Sequence, residues 1–192
     1  MHTKTLECYT YEELSDEAKK NALEKHREIN VDAEWWEDDW FIEKAKEYGF
    51  IAEMKDLCFS IHSGFAYFYE LDLDDTFWQK YINHLVCYKT DPDILSDILL
   101  LMDDMTISIG SRNDSSEVGI SFYGDDMNAD VLYEKLSDKF NLPESIENYI
   151  DDLNQEILKS LRKQEEYLYS DEAVADTLIA NEFEFDVDGN DL

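Results

Sequence analysis

The sequence predicts an α+β fold: an antiparallel sheet with several packed helices and a long C-terminal helix. Residues 143–169 carry apolar side chains at helical spacing, and residues 105–124 contain two β-prone arms around a turn-rich loop. The chain has only two prolines and six glycines, and no Pro/Gly/Ser-rich linker. We therefore expect residues 1–192 to form a single acidic α+β domain.

The N-terminal segment predicts a strand followed by a helix. Residues 4–11, "KTLECYTY", alternate loosely and are rich in β-prone residues. Residues 13–29 have a helical pattern in which Ser15 is the expected N-cap. One face of this helix carries Ala18, Ala22 and Leu23, which are expected to be buried.

A second helix is predicted over "WWEDDWFIEKAKEYG", with Gly49 as its stop. Trp36 and Trp40 are i,i+4 neighbours on its apolar side, where we expect them to be core residues, and Trp35 is a possible exposed aromatic anchor. Each i,i+4 pair of like charges costs about 0.2–0.5 kcal/mol, a cost that a cationic partner would relieve. The candidate partner-binding carboxylates here are Glu37 and Asp38, together with the first acidic row, which is Asp39, Glu43 and Glu47.

The middle of the chain predicts two β segments around Ser63-Gly64, then helices over 76–88 and 92–103. Residues 105–124 are the clearest hairpin, with "SRNDSSE" as its loop, and 128–140 read as a further helix.

The C-terminal region predicts a long helix from Pro143, a shorter helix capped by Ser170, and a final strand. The strand is expected to place Phe183, Phe185 and Val187 on one side and carboxylates, repeating at about 6.6 Å, on the other. Two further sets of candidate partner-binding residues lie here. The second acidic row is Glu144, Glu147, Asp151 and Asp152, and the third acidic row is Glu182, Glu184, Asp186 and Asp188.

The charge of the chain is its most unusual property. It has 47 acidic and 16 basic residues, for a formal net charge of -31. Direct binding to DNA, RNA or anionic lipid is therefore not expected, because those ligands need clustered lysine and arginine. A solubility role or a salt-loving host is one explanation, and an acidic surface that binds a basic partner is the other.

The three cysteines, Cys8, Cys58 and Cys87, form no CxxC pair and predict free, mostly buried thiols in a reducing cytoplasm. The N-terminus has no apolar signal-peptide core, and no apolar run approaches the length of a membrane span.

One motif suggests catalysis. Asp72, Asp74 and Thr76 fit the DxDxT nucleophile motif of haloacid dehalogenase-type phosphatases, and "GDDMNAD" (124–130) resembles the acidic Mg²⁺ motif of that family. Between these motifs that fold needs strand–helix crossovers, whereas the sequence offers a hairpin. We therefore expect no catalytic residue, no metal and no cofactor. A Ca²⁺ loop over 186–191 is also disfavoured, because an Asp-Gly turn explains the same residues.

The two ends of the chain resemble a widespread family of acidic phage and prophage proteins. The N-terminal motif of that family matches Tyr9, Tyr11, Glu13, Leu14, Ser15, Ala18, Lys19, Ala22, Trp35, Trp36 and Glu37. Its C-terminal motif matches Tyr167, Leu168, 170–173, Thr177, 180–185, Asp188 and Gly189. The middle of the chain matches poorly. The resemblance implies a phage accessory protein, for which anti-restriction or anti-CRISPR inhibition is a plausible role, and it supplies no catalytic residues.

The leading hypothesis is an anti-CRISPR inhibitor that mimics DNA in the cytoplasm of an infected bacterium. Duplex DNA carries one charge per about 1.7 Å of axis, and a body this rich in carboxylates can present a comparable field. The expected partner is a basic nucleic-acid-binding defence protein, with a CRISPR nuclease ahead of a restriction enzyme. The alternatives are an antitoxin-like or anti-restriction protein that binds through apolar contacts and, last, a Mg²⁺-dependent phosphatase.

Overall fold

The structure is a computed structural model that describes residues 7–31, 39–112, 115–122 and 127–192. These residues contain seven α-helices and eight strands, which confirms the α+β class. The chain divides into two compact units. The terminal unit comprises residues 1–37 and 161–192, and the central unit comprises residues 38–160. The expectation of a single domain stays a prediction.

The helices follow the predicted order, and their bounds lie within a few residues of those predicted in most cases. They are α1 (Asp16–Lys25), α2 (Trp40–Glu47), α3 (Phe77–Cys87), α4 (Pro92–Leu101), α5 (Met127–Ser137), α6 (Leu142–Leu168) and α7 (Asp171–Ala180). The strands are β1 (Tyr9–Thr10), β2 (Phe50–Ile51), β3 (Leu57–Ser60), β4 (Phe65–Phe68), β5 (Asp72–Leu73), β6 (Met105–Arg112), β7 (Ser115–Phe122) and β8 (Glu184–Phe185). In the described part of the chain, six of these strands are four residues long or shorter.

The strands form four two-stranded antiparallel sheets in the described residues, where one sheet was predicted. The pairs are β1 with β8, β2 with β5, β3 with β4, and β6 with β7. The predicted hairpin over 105–124 is confirmed, and pairing continues to Arg112 opposite Ser115, so the connection is shorter than "SRNDSSE". The turn between β3 and β4 includes Gly64, which has the positive φ that glycine tolerates.

The terminal unit is built on two helices with the same type of cap. The Ser15 hydroxyl accepts a hydrogen bond from the Ala18 N–H at 3.3 Å, and the Ser170 hydroxyl accepts one from the Ala173 N–H at 3.2 Å. Both predicted N-caps are therefore confirmed. The buried core of this unit consists of Leu14, Ala18, Ala22, Leu23, Val174, Leu178 and Phe185.

The final strand, predicted over 181–192, is confirmed only at Glu184–Phe185. Asp186 instead folds the chain back, because its Oδ1 atom accepts hydrogen bonds from the N–H groups of Asp188 and Asn190, each at 2.9 Å. Such local side-chain bonds compete with strand pairing. Gly189 then turns the chain at φ 78°, as the Asp-Gly turn predicted, and Val187 is 63% exposed instead of packing beside Phe185.

The central unit is held by an aromatic core. Phe41, Phe50, Phe77 and Tyr81 are fully buried, and the Tyr81 hydroxyl hydrogen-bonds to the Ser145 hydroxyl at 2.8 Å. The predicted apolar stripe of α6 is largely confirmed, since its buried residues are Ile146, Tyr149, Ile150, Leu153, Ile157, Leu158 and Leu161. Leu168, also predicted, is half-buried.

Gly49 ends α2 with φ 88°, and it also permits close packing. A Cβ atom at this position would lie 2.5 Å from the Phe77 Cα atom. The predicted helix stop is therefore confirmed. The close approach of Phe77 is a second reason for glycine at this position, and the sequence pattern did not indicate it.

Trp40 is half-buried and lies edge-on to Phe41, with ring centroids 5.2 Å apart, so the prediction that it is a core residue is only partly confirmed. Trp35, Trp36, Glu37 and Asp38 lie outside the described residues.

All three cysteines are free, as predicted, but Cys8 and Cys87 are exposed and only Cys58 is half-buried. The expectation of mostly buried thiols was therefore wrong, because Cys8 precedes a short surface strand and Cys87 is the last residue of α3. No helix in the described ranges has both the length and the apolar character needed to cross a membrane.

Candidate partner-binding surface

The first acidic row is exposed on α2, but two of its members are already paired. Lys46 Nζ lies 2.6 Å from Glu43 Oε1, and Lys44 Nζ lies 2.7 Å from Glu47 Oε2. Both lysines are three positions from their partners on the same helix. We expected a cationic partner to relieve the repulsion within this row. Of its three members, this expectation now applies fully only to Asp39, which is exposed.

The second acidic row, on the N-terminal half of α6, is different. No lysine or arginine of the described residues forms an ion pair with its four members. Glu144 accepts a hydrogen bond from the Asn141 side chain at 2.9 Å, and Glu147 accepts one from the Val118 N–H at 3.1 Å. The N-terminal end of a helix favours negative charge, so the helix dipole stabilises Glu144, which lies in the first turn of α6.

The pKa of Asp151 shows the local field. Burial, together with the charges of Glu147 and Asp152, raises the pKa of Asp151 above its ordinary value, although a hydrogen bond with Asn154 acts in the opposite direction. The second acidic row is thus a region where negative charge accumulates, and an approaching cation would be stabilised there.

The first and second acidic rows belong to neighbouring helices. Lys44 of α2 also lies 2.8 Å from Glu156 of α6, and the Tyr149 hydroxyl donates a hydrogen bond to the Tyr48 carbonyl at 3.1 Å. The two helices that carry these rows are therefore in contact, through residues that are about a hundred positions apart in the sequence.

A pocket of about 420 Å³ opens beside these helices. Its lining comes from the end of α2, from α3 and the residue after it, and from α6, and consists of Tyr48, His84, Tyr88, Asp152, Gln155, Glu156 and Lys159. Sequence reasoning identified only Asp152 of this set. The available signal was weak: His84 and Tyr88, like Asp152 and Glu156, are i,i+4 pairs that share a helix face.

The charges in this pocket are unevenly compensated. Glu156 has a lowered pKa, chiefly because Lys44 hydrogen-bonds to it. Asp152 lies 3.9 Å from His84 Nδ1, but burial lowers the pKa of His84 despite the nearby carboxylate. His84 is therefore mainly neutral at pH 7, and it leaves the charge of Asp152 uncompensated.

Aromatic rings line the same pocket. The His84 ring lies 4.6 Å from the Tyr88 ring and 4.6 Å from the Tyr149 ring, measured between centroids. Burial and the charge of Glu156 raise the pKa of Tyr48, so its hydroxyl stays protonated. Tyr88 is 69% exposed and is part of the pocket lining.

The third acidic row does not form as predicted. Glu182, Glu184 and Asp188 are exposed, but the Asp186 carboxylate is directed into its own loop, where the Asn190 side chain also binds it at 2.8 Å. These internal hydrogen bonds lower the pKa of Asp186. The regular spacing of four carboxylates along one strand is therefore not formed: Glu184 lies on β8, whereas Glu182 lies in the preceding turn with φ 52°.

Asp74, one of the phosphatase-like residues, has a structural role. It accepts hydrogen bonds from the Thr76 hydroxyl at 2.6 Å and the Thr76 N–H at 2.7 Å, just before α3. Asp72 lies on β5, which pairs antiparallel with β2. Asp130 is on α5, and 123–126 lie outside the described residues. Within the described ranges, no group of His, Cys, Asp or Glu has the arrangement of a metal site.

No family model, no curated protein and no solved structure matches this chain.

Proposed function

We propose that the protein inhibits a nucleic-acid-binding bacterial defence enzyme, with a CRISPR nuclease as the first candidate and a restriction enzyme as the second. It would occupy the basic DNA groove of that enzyme with its acidic surface. The observation that carries this proposal is the second acidic row, four carboxylates on one helix without an ion-paired lysine or arginine in the described part of a chain of net charge -31.

The excess of negative charge extends over both units and is not confined to the second acidic row. The central unit has 27 acidic and 9 basic residues, and the terminal unit has 20 and 7. A field of one sign steers an oppositely charged partner and accelerates association. Both units contribute to this steering, whereas the second acidic row would make the close contact.

Rigidity of the row supports the same role. The opposite face of α6 is fully buried at Ile146, Ile150 and Leu153, so the backbone that carries the carboxylates is fixed before binding. A preorganised surface loses less conformational entropy on association.

The mimicry would be of field and not of individual phosphates. An α-helix rises about 1.5 Å per residue, so carboxylates three or four positions apart repeat every ~4.5–6 Å, against about 3.4 Å per phosphate along one DNA strand. One helix is therefore less dense in charge than DNA, and the other carboxylates of the central unit would add to its field.

The test is a DNA-cleavage assay with a guide-loaded CRISPR nuclease and, separately, a restriction enzyme, each titrated with the protein. We expect inhibition that weakens as salt is raised and that competitor DNA relieves. A partner that stays bound at high salt and ignores DNA, or the absence of inhibition across a panel of such enzymes, would refute the proposal.

Matched variants localise the contact. Glu144→Gln with Glu147→Gln and Asp151→Asn removes three charges from the second acidic row. The control removes three charges from exposed carboxylates of the terminal unit: Glu12→Gln, Glu172→Gln and Asp176→Asn. We expect the first variant to inhibit far less well than the control, although both lose the same net charge.

One observation favours the antitoxin-like or anti-restriction alternative, in which binding is apolar. Leu99 and Leu100 on α4 and Val131 on α5, which is its neighbour in the fold, are 47%, 65% and 63% exposed. If this face binds the partner, Val131→Asp should abolish a salt-resistant complex. Val187→Asp is the control, because Val187 in the terminal unit is equally exposed at 63%.

A further inference from the structure

We infer that the pocket between α2, α3 and α6 accepts one guanidinium group, an arginine side chain of the partner. This inference rests on the proposed function only for the source of that arginine. The pocket itself would bind an isolated guanidinium compound, so it can be tested without any nuclease.

The size of the pocket fits a side-chain end. Its volume of about 420 Å³ lies within the range of about 300–1,000 Å³ that is typical of ligand sites. The pocket is open to solvent and its lining includes the exposed Tyr88, so a side chain of another protein can reach it.

The Asp152 carboxylate provides the charge that a guanidinium requires, whereas the charge of Glu156 is already paired with Lys44. Asp152 and Glu156 are one turn apart on α6 and both line the pocket. The neutral His84 ring has its Nδ1 atom 3.9 Å from Asp152 Oδ2, which is too far for a hydrogen bond. The oxygens of Asp152 can therefore accept two parallel N–H donors of a guanidinium.

The rings add a preference for arginine over lysine. The planar guanidinium stacks on aromatic faces, whereas the ammonium of lysine is a compact and strongly hydrated charge. Tyr88 and His84 lie 4.6 Å apart at one side of the pocket, and Tyr48 lies on its lining as well. Rings and carboxylates thus converge on one cavity in the combination that recognises a planar cation.

Lys159 provides an internal test of whether the pocket binds a cation or an anion. It lines the same pocket, and its charge acts on Glu156. A bound guanidinium would be repelled by Lys159, whereas a bound anion would need it. Removal of this lysine should therefore strengthen binding of a cation and weaken binding of an anion.

The experiment is an NMR titration of the full chain with N-acetyl-arginine amide, with N-acetyl-lysine amide and N-acetyl-citrulline amide as comparison probes. Citrulline has nearly the shape of arginine without its charge. We expect arginine to shift the amide signals of pocket residues at the lowest concentration, lysine at a higher one, and citrulline not at all. Equal binding of citrulline and arginine would overturn the inference.

Variants that remove the same charge at two places separate the pocket from the general field. Asp152→Asn should weaken arginine binding by about tenfold, since a hydrogen bond to a charged group is lost. Asp75→Asn removes the same charge from an exposed residue outside the pocket lining and outside the acidic rows, and should change binding by less than about twofold. Equal losses in the two variants, or weaker binding in Lys159→Ala, would contradict the inference.

The same variants distinguish the two proposals. If Asp152→Asn loses arginine binding and also inhibits the nuclease poorly, the pocket and the function are both supported. If the wild-type chain binds no arginine probe yet inhibits cleavage, the pocket inference fails and the function stands. If it binds arginine and inhibits no defence enzyme, the function fails and the pocket stands.

Discussion

In the terminal unit, two carboxylates are paired: Asp171 Oδ1 lies 2.5 Å from Arg27 Nη1, and Asp191 Oδ1 lies 2.7 Å from His26 Nε2. In the central unit, by contrast, the second acidic row has no paired lysine or arginine among the described residues. The Asp186 carboxylate, also in the terminal unit, is bound by backbone N–H groups of its own loop. An acidic residue in this protein can therefore be a structural link or a free surface charge. Net charge alone does not distinguish these two uses, but the partners of each carboxylate do.

The terminal unit also unites the two motifs on which the phage-family resemblance depends. The Asn21 side chain donates a hydrogen bond to the Asp188 carbonyl at 2.7 Å, and Lys25 binds the Asn190 side chain. The Thr177 hydroxyl bonds to the Asn30 side chain at 2.6 Å. The described parts of the N-terminal and C-terminal segments are thus joined by specific polar contacts, and residues 38–160, which lie between the motifs, form the central unit.

The largest expected effects come from one glycine in each unit. Gly189 has φ 78°, and a Cβ atom there would clash with the Ala18 carbonyl oxygen; at Gly49 it would lie 2.5 Å from the Phe77 Cα atom. Gly189→Ala and Gly49→Ala should each lower the free energy of unfolding by about 3 kcal/mol, because both backbone strain and a clash are introduced. Chemical denaturation measures this loss.

Gly110→Ala is the control for both, because a Cβ atom at Gly110 would meet nothing within 4 Å. Hydrogen exchange then tests the division into units. If Gly189→Ala accelerates exchange only in the terminal unit and Gly49→Ala only in the central unit, the two units are separately cooperative. Uniform acceleration by either variant would establish the single domain that composition predicted.

A smaller effect is expected at Ser170, the N-cap of α7. This helix belongs to the terminal unit and carries Asp171. Ser170→Ala removes the acceptor of the Ala173 N–H and should lower the free energy of unfolding by about 1 kcal/mol. Ser170→Asp retains an acceptor at the N-cap, and thermal unfolding should show stability close to that of the wild type. Equal losses in both variants would mean that the cap contributes little.

Much of this architecture could be predicted because single helices and hairpins leave local patterns. The spacing of apolar residues predicted α6, and the turn residues between two β-prone arms predicted β6 and β7. The alternation of aromatic and acidic residues after 181 also predicted a strand, but the hydrogen bonds of Asp186 prevailed over that pattern. The competing signal was present, since an Asp-Gly turn was expected in the same segment.

The candidate site was harder to predict for two reasons. The lysines that neutralise the first acidic row stand three positions from their partners and were visible in the sequence, so this error was avoidable. The pocket was not visible, because Tyr48, His84 and Asp152 come from three separate parts of the chain. Only the packing of α2 and α3 on α6 brings these residues to one cavity.

In the central unit, Asp74 differs from the free carboxylates because its contribution to the free energy of unfolding should depend on pH. Burial opposes ionisation, but the hydrogen bonds from Thr76 and the charge of Lys80 prevail and lower the pKa of Asp74. A carboxylate with a lower pKa in the folded state stabilises the fold above its unfolded pKa, near 3.9, and this stabilisation is lost as pH falls through the folded pKa. Asp74→Asn should therefore lower the free energy of unfolding at pH 7 by less than about 1 kcal/mol and have no such effect at pH 2.

Asp75→Asn is the control, because Asp75 is an exposed neighbour and its substitution changes the net charge equally. Urea unfolding of both variants at several pH values isolates the contribution of Asp74 from general charge repulsion. The same variants bear on the phosphatase alternative. Mg²⁺-dependent hydrolysis of a generic phosphoester that Asp72→Asn abolishes would make Asp74 a catalytic residue and remove it from this comparison.

The smallest effect on stability is expected at Lys46, and it addresses the comparison most directly. Lys46 pairs with Glu43, and Lys55 pairs with Glu53 at 2.8 Å; all four side chains are more than half exposed. Lys46→Gln and Lys55→Gln should each change the free energy of unfolding by less than about 0.5 kcal/mol, because exposed ion pairs contribute little. Both variants add the same negative charge, so they enhance long-range steering of a basic partner equally.

Inhibition of the nuclease should nevertheless separate them. If α2 lies in the contact, Lys46→Gln frees Glu43 and extends the uncompensated charge of the second acidic row onto its neighbouring helix, so it should inhibit at a lower concentration than Lys55→Gln. Equal potency of the two variants would show that the partner responds only to total charge. The difference between paired and unpaired carboxylates would then matter for the stability of the protein and not for its recognition.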